Sequence, residues 1–254
     1  YGICYPEAAY EQLTREQLLD HYRRLYVASN ALAVCSGHIT PEAREAILRL
    51  CEQFPKGAPF NAPFPPTESR CEWFVERPKA VQSAIRIGRL LFPRNHPDFV
   101  GMQVVATLLG GYFGARLMHN LREAHGYTYG VMATMVNFER EGYFAIATQV
   151  GCEVTREALK EIFHEIERMR TEPVSEQELA LAKNILTGEM MRILDGPFGI
   201  ADVTIENVLT GDDNEVVNRN LQEIRAITPE RIQSLAFQYL APETLSTIVV
   251  GRME

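Results

Sequence analysis

The sequence predicts an α+β fold of two layers, an antiparallel-rich sheet covered by helices. Three observations carry that expectation. Segments follow the order two strands, two helices, a hairpin, several helices and a closing strand, which is not the regular alternation of a parallel βαβ design. Two apolar runs, Tyr127–Phe138 and Gly142–Gly151, flank the polar turn residues Glu139-Arg140-Glu141 and read as the hairpin. The 254 residues, 46% of them hydrophobic, suffice to bury a sizeable core.

Residues 70–78 (RCEWFVERP) and 82–92 (QSAIRIGRLLF) read as the first strands, rich in aromatic and β-branched side chains and bounded by prolines. Asp98 opens a helix in which Met102, Val105, Ala106 and Leu109 recur with helical spacing, and Gly110-Gly111 ends it. A second helix is expected from Gly114 to His125, stopped by Gly126. After the hairpin, Leu159, Ile162, Phe163 and Ile166 mark one helix face. Ser175-Glu176-Gln177-Glu178 reads as a capping box opening a long helix with Leu179, Ala182, Leu186 and Met190 inward. Helices follow at about 197–209 and 213–226, then a final helix and strand.

That final pair has a counterpart near the start of the chain. Thr14–Gly37 aligns without a gap on Thr228–Gly251, 214 residues later. Each copy reads as a Thr N-cap, an amphipathic helix, a polar break, an apolar strand and a glycine. Identities are few, but pairs such as Leu18 with Ile232 and Val34 with Ile248 keep the pattern. Between the copies, Pro55, Pro59, Pro63, Pro65 and Pro66 interrupt any helix or central strand. The expected organisation is therefore the tail of one unit at 1–54, a proline-rich linker at 55–67 and a complete second unit at 68–254. With Tyr1 at its start, the chain reads as a piece of something longer; an intact first unit would begin roughly 145 residues upstream on repeat logic.

The formal charge of −8 and the lack of a basic run argue against nucleic acid as the main partner. No stretch approaches the roughly 18 apolar residues of a membrane span. Cys4, Cys35, Cys51, Cys71 and Cys152 are odd in number and contain no C-x-x-C, so buried reduced thiols are expected; they lean the expected location toward the cytoplasm.

Most candidate chemistry has a plain structural reading. The glycines of Leu109–Gly114 lie between two helices, not between a strand and a helix, so they suit a tight turn better than a phosphate cradle. His119, Glu123 and His125 are potential metal ligands, but neither H-E-x-x-H nor H-x-x-E-H occurs, and solvated helix residues are the expectation. No G-x-S-x-G accompanies any serine. Arg122, in the last turn of a helix, and Tyr129, expected to open the next strand, stand out. A guanidinium there can hold a peptide carbonyl and a phenol can donate to an oxyanion. The same pair also suits an Arg complementing a helix C-terminus and a Tyr packed on a sheet.

The string L-G-G-x-x-x-x-R-L-x-x-x-L-R-E-x-x-G-x-x-Y at Leu109–Tyr129 resembles the second-half signature of the insulinase/pitrilysin family. These are inverzincin zinc metallopeptidases that include mitochondrial processing peptidase. Tyr26–Gly37, Val174–Lys183, Gln82 and the closing Ile248–Gly251 resemble further motifs of that family in the right order. The resemblance implies a processing-peptidase-like metallohydrolase fold and a two-half clamshell. In it the first half binds zinc through H-x-x-E-H and a downstream glutamate. The second half supplies an arginine and a tyrosine, matching Arg122 as substrate-positioning and Tyr129 as oxyanion-stabilising residue. The implied activity is a zinc metalloendopeptidase acting on extended peptides, with a zinc-bound water attacking the scissile carbonyl. Zinc, peptide hydrolysis and the metal-binding half, in cis or as the other subunit of a homo- or heterodimer, all lie outside this chain on that reading. Alone, the chain is expected to be inactive. The alternative is a non-catalytic scaffold of the same fold, like the processing-peptidase-related core subunits of respiratory complexes.

Overall fold

A computed structural model describes residues 6–60 and 70–253. The chain divides into two compact units, Tyr1–Pro66 with Gly196–Ile205, and Thr67–Asp195 with Glu206–Glu254.

In the first unit, α1 (Glu7–Glu11) leads to α2 (Arg15–Leu25) and, after an irregular stretch, α3 (Pro41–Glu52). Helix α2 starts at a complete capping box: Thr14 Oγ1 accepts from Gln17 N at 3.2 Å, and Gln17 Oε1 accepts from Thr14 N at 2.8 Å. Pro41 at the first position of α3 and Thr40 as its cap set the third helix in the same manner. A 3₁₀ turn, Ala28–Asn30, follows α2. The start of the proline-rich segment runs extended over that turn. Pro55 O accepts from Ala28 N at 2.7 Å, and Asn30 Oδ1 accepts from Phe60 N at 2.7 Å. Residues 61–67 of the expected linker lie outside the described residues.

Val27 is the only buried apolar side chain among the described residues of this unit, while Leu18, Tyr22, Tyr26, Leu32 and Leu48 are exposed. The strand expected at the end of the first repeat copy does not form: residues 31–36 are irregular and pair with no other strand among the described residues. A strand is a shared structure, and its N–H and C=O groups need a neighbour to close the ladder. The apolar pattern is present without that neighbour.

The second unit is built on one sheet. Strands β1 (Glu72–Glu76) and β2 (Gln82–Leu91) precede α4 (Phe99–Ala106). Next come β3 (Val131–Asn137), β4 (Gly142–Gly151), α5 (Thr155–Thr171) and α6 (Glu176–Ile193). They are followed by the end of α7 (Pro197–Leu209), whose residues up to Ile205 belong to the first unit, and by α8 (Glu215–Ala226), α9 (Pro229–Tyr239) and β5 (Ser246–Gly251). The sheet order is β1-β5-β2-β4-β3; only β1 and β5 are parallel. The expected α+β class and antiparallel-rich sheet are thus present. The hairpin closes where Phe138 N donates to Glu141 O at 2.7 Å.

Every second residue of β4 (Phe144, Ile146, Thr148, Val150) turns to the covered face and is buried, the period-2 signature of a one-sided sheet. Ile85 and Ile87 of β2 join them, beneath Met102 and Val105 of α4, Ile162 and Ile166 of α5, and Ile232 and Leu235 of α9. Helix α4 is apolar except at Gln103 and buried nearly throughout. Strands β2 and β4 approach so closely at Gly88 that a Cβ there would lie 2.2 Å from Phe144 O.

Two expected caps are used differently. Ser175 Oγ accepts from Glu178 N at 3.2 Å, but the Glu178 carboxylate is forked onto Arg116, so half of the capping box forms. Asp98 makes no side-chain cap at α4; its carboxylate takes Arg231 and, at 2.5 Å, the Tyr239 hydroxyl, tying α9 to the start of α4. Of the four described cysteines only Cys152 is buried, and Cys35 and Cys51 are exposed, against the expectation of buried thiols. The segment around those two carries almost no core in which to bury them. No described helix is long and apolar enough to cross a membrane.

The second repeat copy matches the first in its helix, its 3₁₀ turn and its closing glycine, but not in the strand. At the 214-residue offset, α2 lies on α9, the turn Ala28–Asn30 on Pro242–Thr244, and Gly37 (φ +116°) on Gly251 (φ +153°).

Two measurements check this packing. Gly88→Ala should destabilise the protein by about 2 kcal/mol through a backbone clash. Gly188→Ala, exposed in α6 with open space at its Cβ, should stabilise it by about 0.5–1 kcal/mol. Denaturant melts read both. Burial, then the hydrogen bond to Asp98, push the Tyr239 phenol up to about 12. The folded state therefore favours the protonated phenol, a contribution complete below the unfolded value of about 10 and lost as pH rises through about 12. Stability measured between those values should fall more steeply in the wild type than in Tyr239→Phe.

Candidate functional site

The site is assembled on one rim of the second unit, from the segment that joins α4 to β3. Helix α4 continues as a π-helical turn, Thr107–Gly111, where Thr107 Oγ1 donates back to Gln103 O at 2.8 Å. Gly110 presses directly on β3: a Cβ there would lie 2.6 Å from Ala133 N. No larger residue fits, which gives the Gly110-Gly111 pair its packing role. The chain then turns through Tyr112–Ala115 into a second π-helical stretch, Met118–Ala124, shorter than the helix expected over 114–125. π-Turns are uncommon and concentrate at functional sites.

Both faces of this second stretch are anchored. Met118 and Leu121 are buried, and Met118 Sδ accepts from Val131 N at 3.4 Å. Arg116 meets Glu178 of α6 in a two-point ion pair, Nε–Oε1 at 2.6 Å and Nη2–Oε2 at 2.9 Å, with both side chains mostly buried. Asn120 Nδ2 donates to Glu161 and Glu165 of α5 at 2.9 Å each. Glu165, nearly fully buried, is neutralised by Arg168, whose guanidinium pKa is raised chiefly by the Glu165 charge. Each buried charge here meets an opposite one, as low dielectric requires, although Arg116 Nη1 and Asn120 Oδ1 are buried without a partner.

Arg122 lies in the last turn, half-buried, as the sequence places it. Its guanidinium carbon sits 4.7 Å from the centroid of the Phe113 ring, and no carboxylate among the described residues is within ion-pair distance of it. Gly126, at φ +67°, reverses the chain, and Tyr127 N donates to Leu121 O at 2.8 Å.

Against expectation, Tyr129 does not open the strand; β3 begins two residues later, at Val131. The reason is local. Thr128 Oγ1 donates to Gln149 O at 2.7 Å and accepts from Gly130 N at 3.1 Å, so a side chain takes the places of ladder partners. Thr148 Oγ1, buried, lies 3.0 Å from Thr128 Oγ1 and 2.9 Å from Gly130 O. Tyr129 projects from this clasp with 88% of its surface exposed. No hydrogen bond or ring contact joins Arg122 to Tyr129 among the described residues; the helix end and the clasped loop hold them separately.

The metal candidates are dispersed. His119 Nδ1 is 2.9 Å from Glu123 Oε2, whereas His125 stacks on Tyr127 and lies 3.9 Å from Glu161. No three His, Cys, Asp or Glu side chains among the described residues form a group able to hold a metal ion. Zinc does not fit the donors that the described residues bring together. Sequence reasoning missed Phe113, Thr128, Thr148 and Asn120. It also read Glu178 as a cap instead of the partner of Arg116, because such pairings cross between elements.

Residues 12–186 match the family described as the peptidase M16 inactive domain. The chain belongs to that family. The Leu109–Tyr129 resemblance to zinc metallopeptidases is thereby borne out. The M16 chain is 21% identical over 171 residues to the uncharacterised zinc protease YmxG of Bacillus subtilis, covering 67% of this chain and 42% of that protein. It spans less than half of that relative's length. Among solved structures it superposes on the peptidase M16 inactive domain from Pseudomonas fluorescens with a TM-score of 0.86. That match has 22% identity and covers 98% of this chain and 60% of the other. It also superposes on a chain of complex III2 from Candida albicans with a TM-score of 0.75 at 15% identity, covering 96% and 60%. These likenesses establish the α+β architecture as an M16 fold.

Thr148→Val removes the hydroxyl beneath the Tyr129 loop. It should cost about 1 kcal/mol in a denaturant melt. Amide exchange at Tyr129–Val131 should quicken while that of β2 stays unchanged.

Proposed function

We propose that this M16 chain is the substrate-clamping part of a zinc metalloendopeptidase that cleaves extended peptides. Residues 68–254 form its complete second half, 55–67 a linker, and 1–54 the tail of a first half. The observation that carries the reading is the state of the two rim residues. Arg122 has no carboxylate partner among the described residues, and Tyr129 is 88% exposed on a loop held by Thr128 and Thr148. A half-buried guanidinium without a carboxylate partner and an exposed phenol, both on the segment that joins α4 to β3, suit an external ligand.

On this reading the Arg122 fork binds a backbone carbonyl of the peptide and orients it. Tyr129 donates its hydroxyl proton as a hydrogen bond to the oxygen on which negative charge develops. The donors among the described residues do not suit zinc, so the metal is assigned to the first half, in cis or on a partner subunit. The assignment of 1–54 is supported by the repeat. Its helix, turn and glycine duplicate those of α9–β5, but its strand segment lacks the sheet that surrounds β5.

A second reading, a non-catalytic scaffold, is favoured by the likeness to the complex III2 chain and by the family's description as an inactive domain. An intact H-x-x-E-H in the upstream sequence or in a partner favours the peptidase; its loss favours the scaffold.

In the complete protein, Tyr129→Phe should lower kcat about 100-fold, the usual cost of one oxyanion donor. Arg122→Ala should lower kcat/KM about 10- to 100-fold, the value of a charged hydrogen bond. Zinc content measured alongside should stay at the wild-type level in both. Full proteolysis by the two variants sinks the proposal.

A further inference from the structure

Phe113 is the feature of this rim that the functional reading leaves unused. It is 61% exposed, in a turn whose preceding residue pair is pinned to β3 through Gly110. An exposed phenyl ring in a turn buries little, so its own packing does not explain it. What it contacts is Arg122.

The contrast with neighbouring arginines is instructive. Arg116 is forked onto Glu178, and Arg168 onto Glu165 with Glu172 beyond it. In each, guanidinium N–H groups are consumed by carboxylates. Glu123, next to Arg122 in sequence, is engaged by His119. Arg122 alone among these three arginines rests on a ring face. A ring attracts the cation through its quadrupole and takes none of its N–H donors, so the guanidinium is held while its fork stays available.

We propose that Phe113 is a positioning residue that holds the Arg122 guanidinium in one orientation, with its fork open to a carbonyl or carboxylate of a bound peptide. The inference rests on the reading of Arg122 as a peptide clamp. The π-helical stretch and its ties to α5 and α6 set where the arginine's backbone lies. The ring sets where its charge lies.

The test uses the complete protein and a quenched fluorescent peptide, with kcat and KM measured separately for Phe113→Leu, Phe113→Trp, Arg122→Ala and the Phe113→Leu/Arg122→Ala double variant. Phe113→Leu should raise KM about 2- to 5-fold, the size of an exposed cation–π contact, and move kcat less. Phe113→Trp, which keeps a ring face, should restore the wild-type KM. In the double variant Phe113→Leu should add nothing to the loss caused by Arg122→Ala, since the two act as one unit. Thermal melts should be unchanged, because the ring is exposed. An unchanged KM in Phe113→Leu alongside a damaged Arg122→Ala overturns the inference while leaving the clamp standing. So does failure of Trp to rescue, or a Phe113→Leu effect that persists without Arg122. Wild-type kinetics in Arg122→Ala would instead remove the clamp itself, and this inference with it.

Discussion

Burial of one face of the five-stranded sheet beneath α4 and its π-helical continuation is the constraint on which the second unit depends. The continuation can lie against β3 only because Gly110 has no side chain, and that contact fixes where the next helix starts. Met118 and Leu121 then seal the second π-helical stretch onto the start of β3. Once those apolar positions are in place, the phase of the helix is set, and Arg122 is left at the helix end toward the rim. Alternation along β3 does the complementary task for the loop before it. Val131 and Ala133 turn inward, and the segment preceding Val131 is carried beyond the ladder.

Polar pairing ties the rim to the helices behind it. Removing charge from water is costly, so each buried carboxylate near the site is matched: Glu178 by Arg116, Glu165 by Arg168 and Asn120. These pairs run from the π-helical stretch to α5 and α6, so the segment that presents Arg122 is tethered on two sides. On the strand side, two threonine hydroxyls do with side chains what a longer β3 would do with backbone. The difference matters, because a residue within a regular antiparallel strand is confined to one face or the other. Tyr129, held just outside the ladder, is free of that confinement.

The two repeat copies separate local propensity from tertiary context. Thr14 and Thr228 both cap eleven-residue helices, both helices give way to a 3₁₀ turn, and both copies end at a glycine of positive φ. The helix and turn are satisfied within the chain segment itself and form in each copy. The strand is not. β5 is flanked by β1 and β2 and its Val249 is buried, whereas residues 31–36 have no paired neighbour. The same reasoning explains why apolar side chains such as Leu18 and Tyr22 are exposed while their counterparts on α9 are largely covered.

Much of this was legible in the residues. Period-2 and period-3.6 patterns located the strands of the second unit and the helices after them to within a few residues, because backbone hydrogen bonding and one-sided burial impose those periods directly. The spacing from Leu109 to Tyr129 marked the segment that forms the rim, since glycine pairs and a following helix end leave a local signature. Other features depended on residues far apart in sequence: the diversion of Glu178 from its cap to Arg116, of Asp98 to Tyr239, and of Thr148 to the Tyr129 loop. A side chain near a helix start can bond its own backbone or a distant partner, and local sequence contains no information on which partner the fold brings within 3 Å. Residue type and spacing thus determined the elements and named Arg122 and Tyr129. Tertiary packing alone decided that one would rest on Phe113 and the other project from a threonine clasp, because those contacts exist only after separate elements have met.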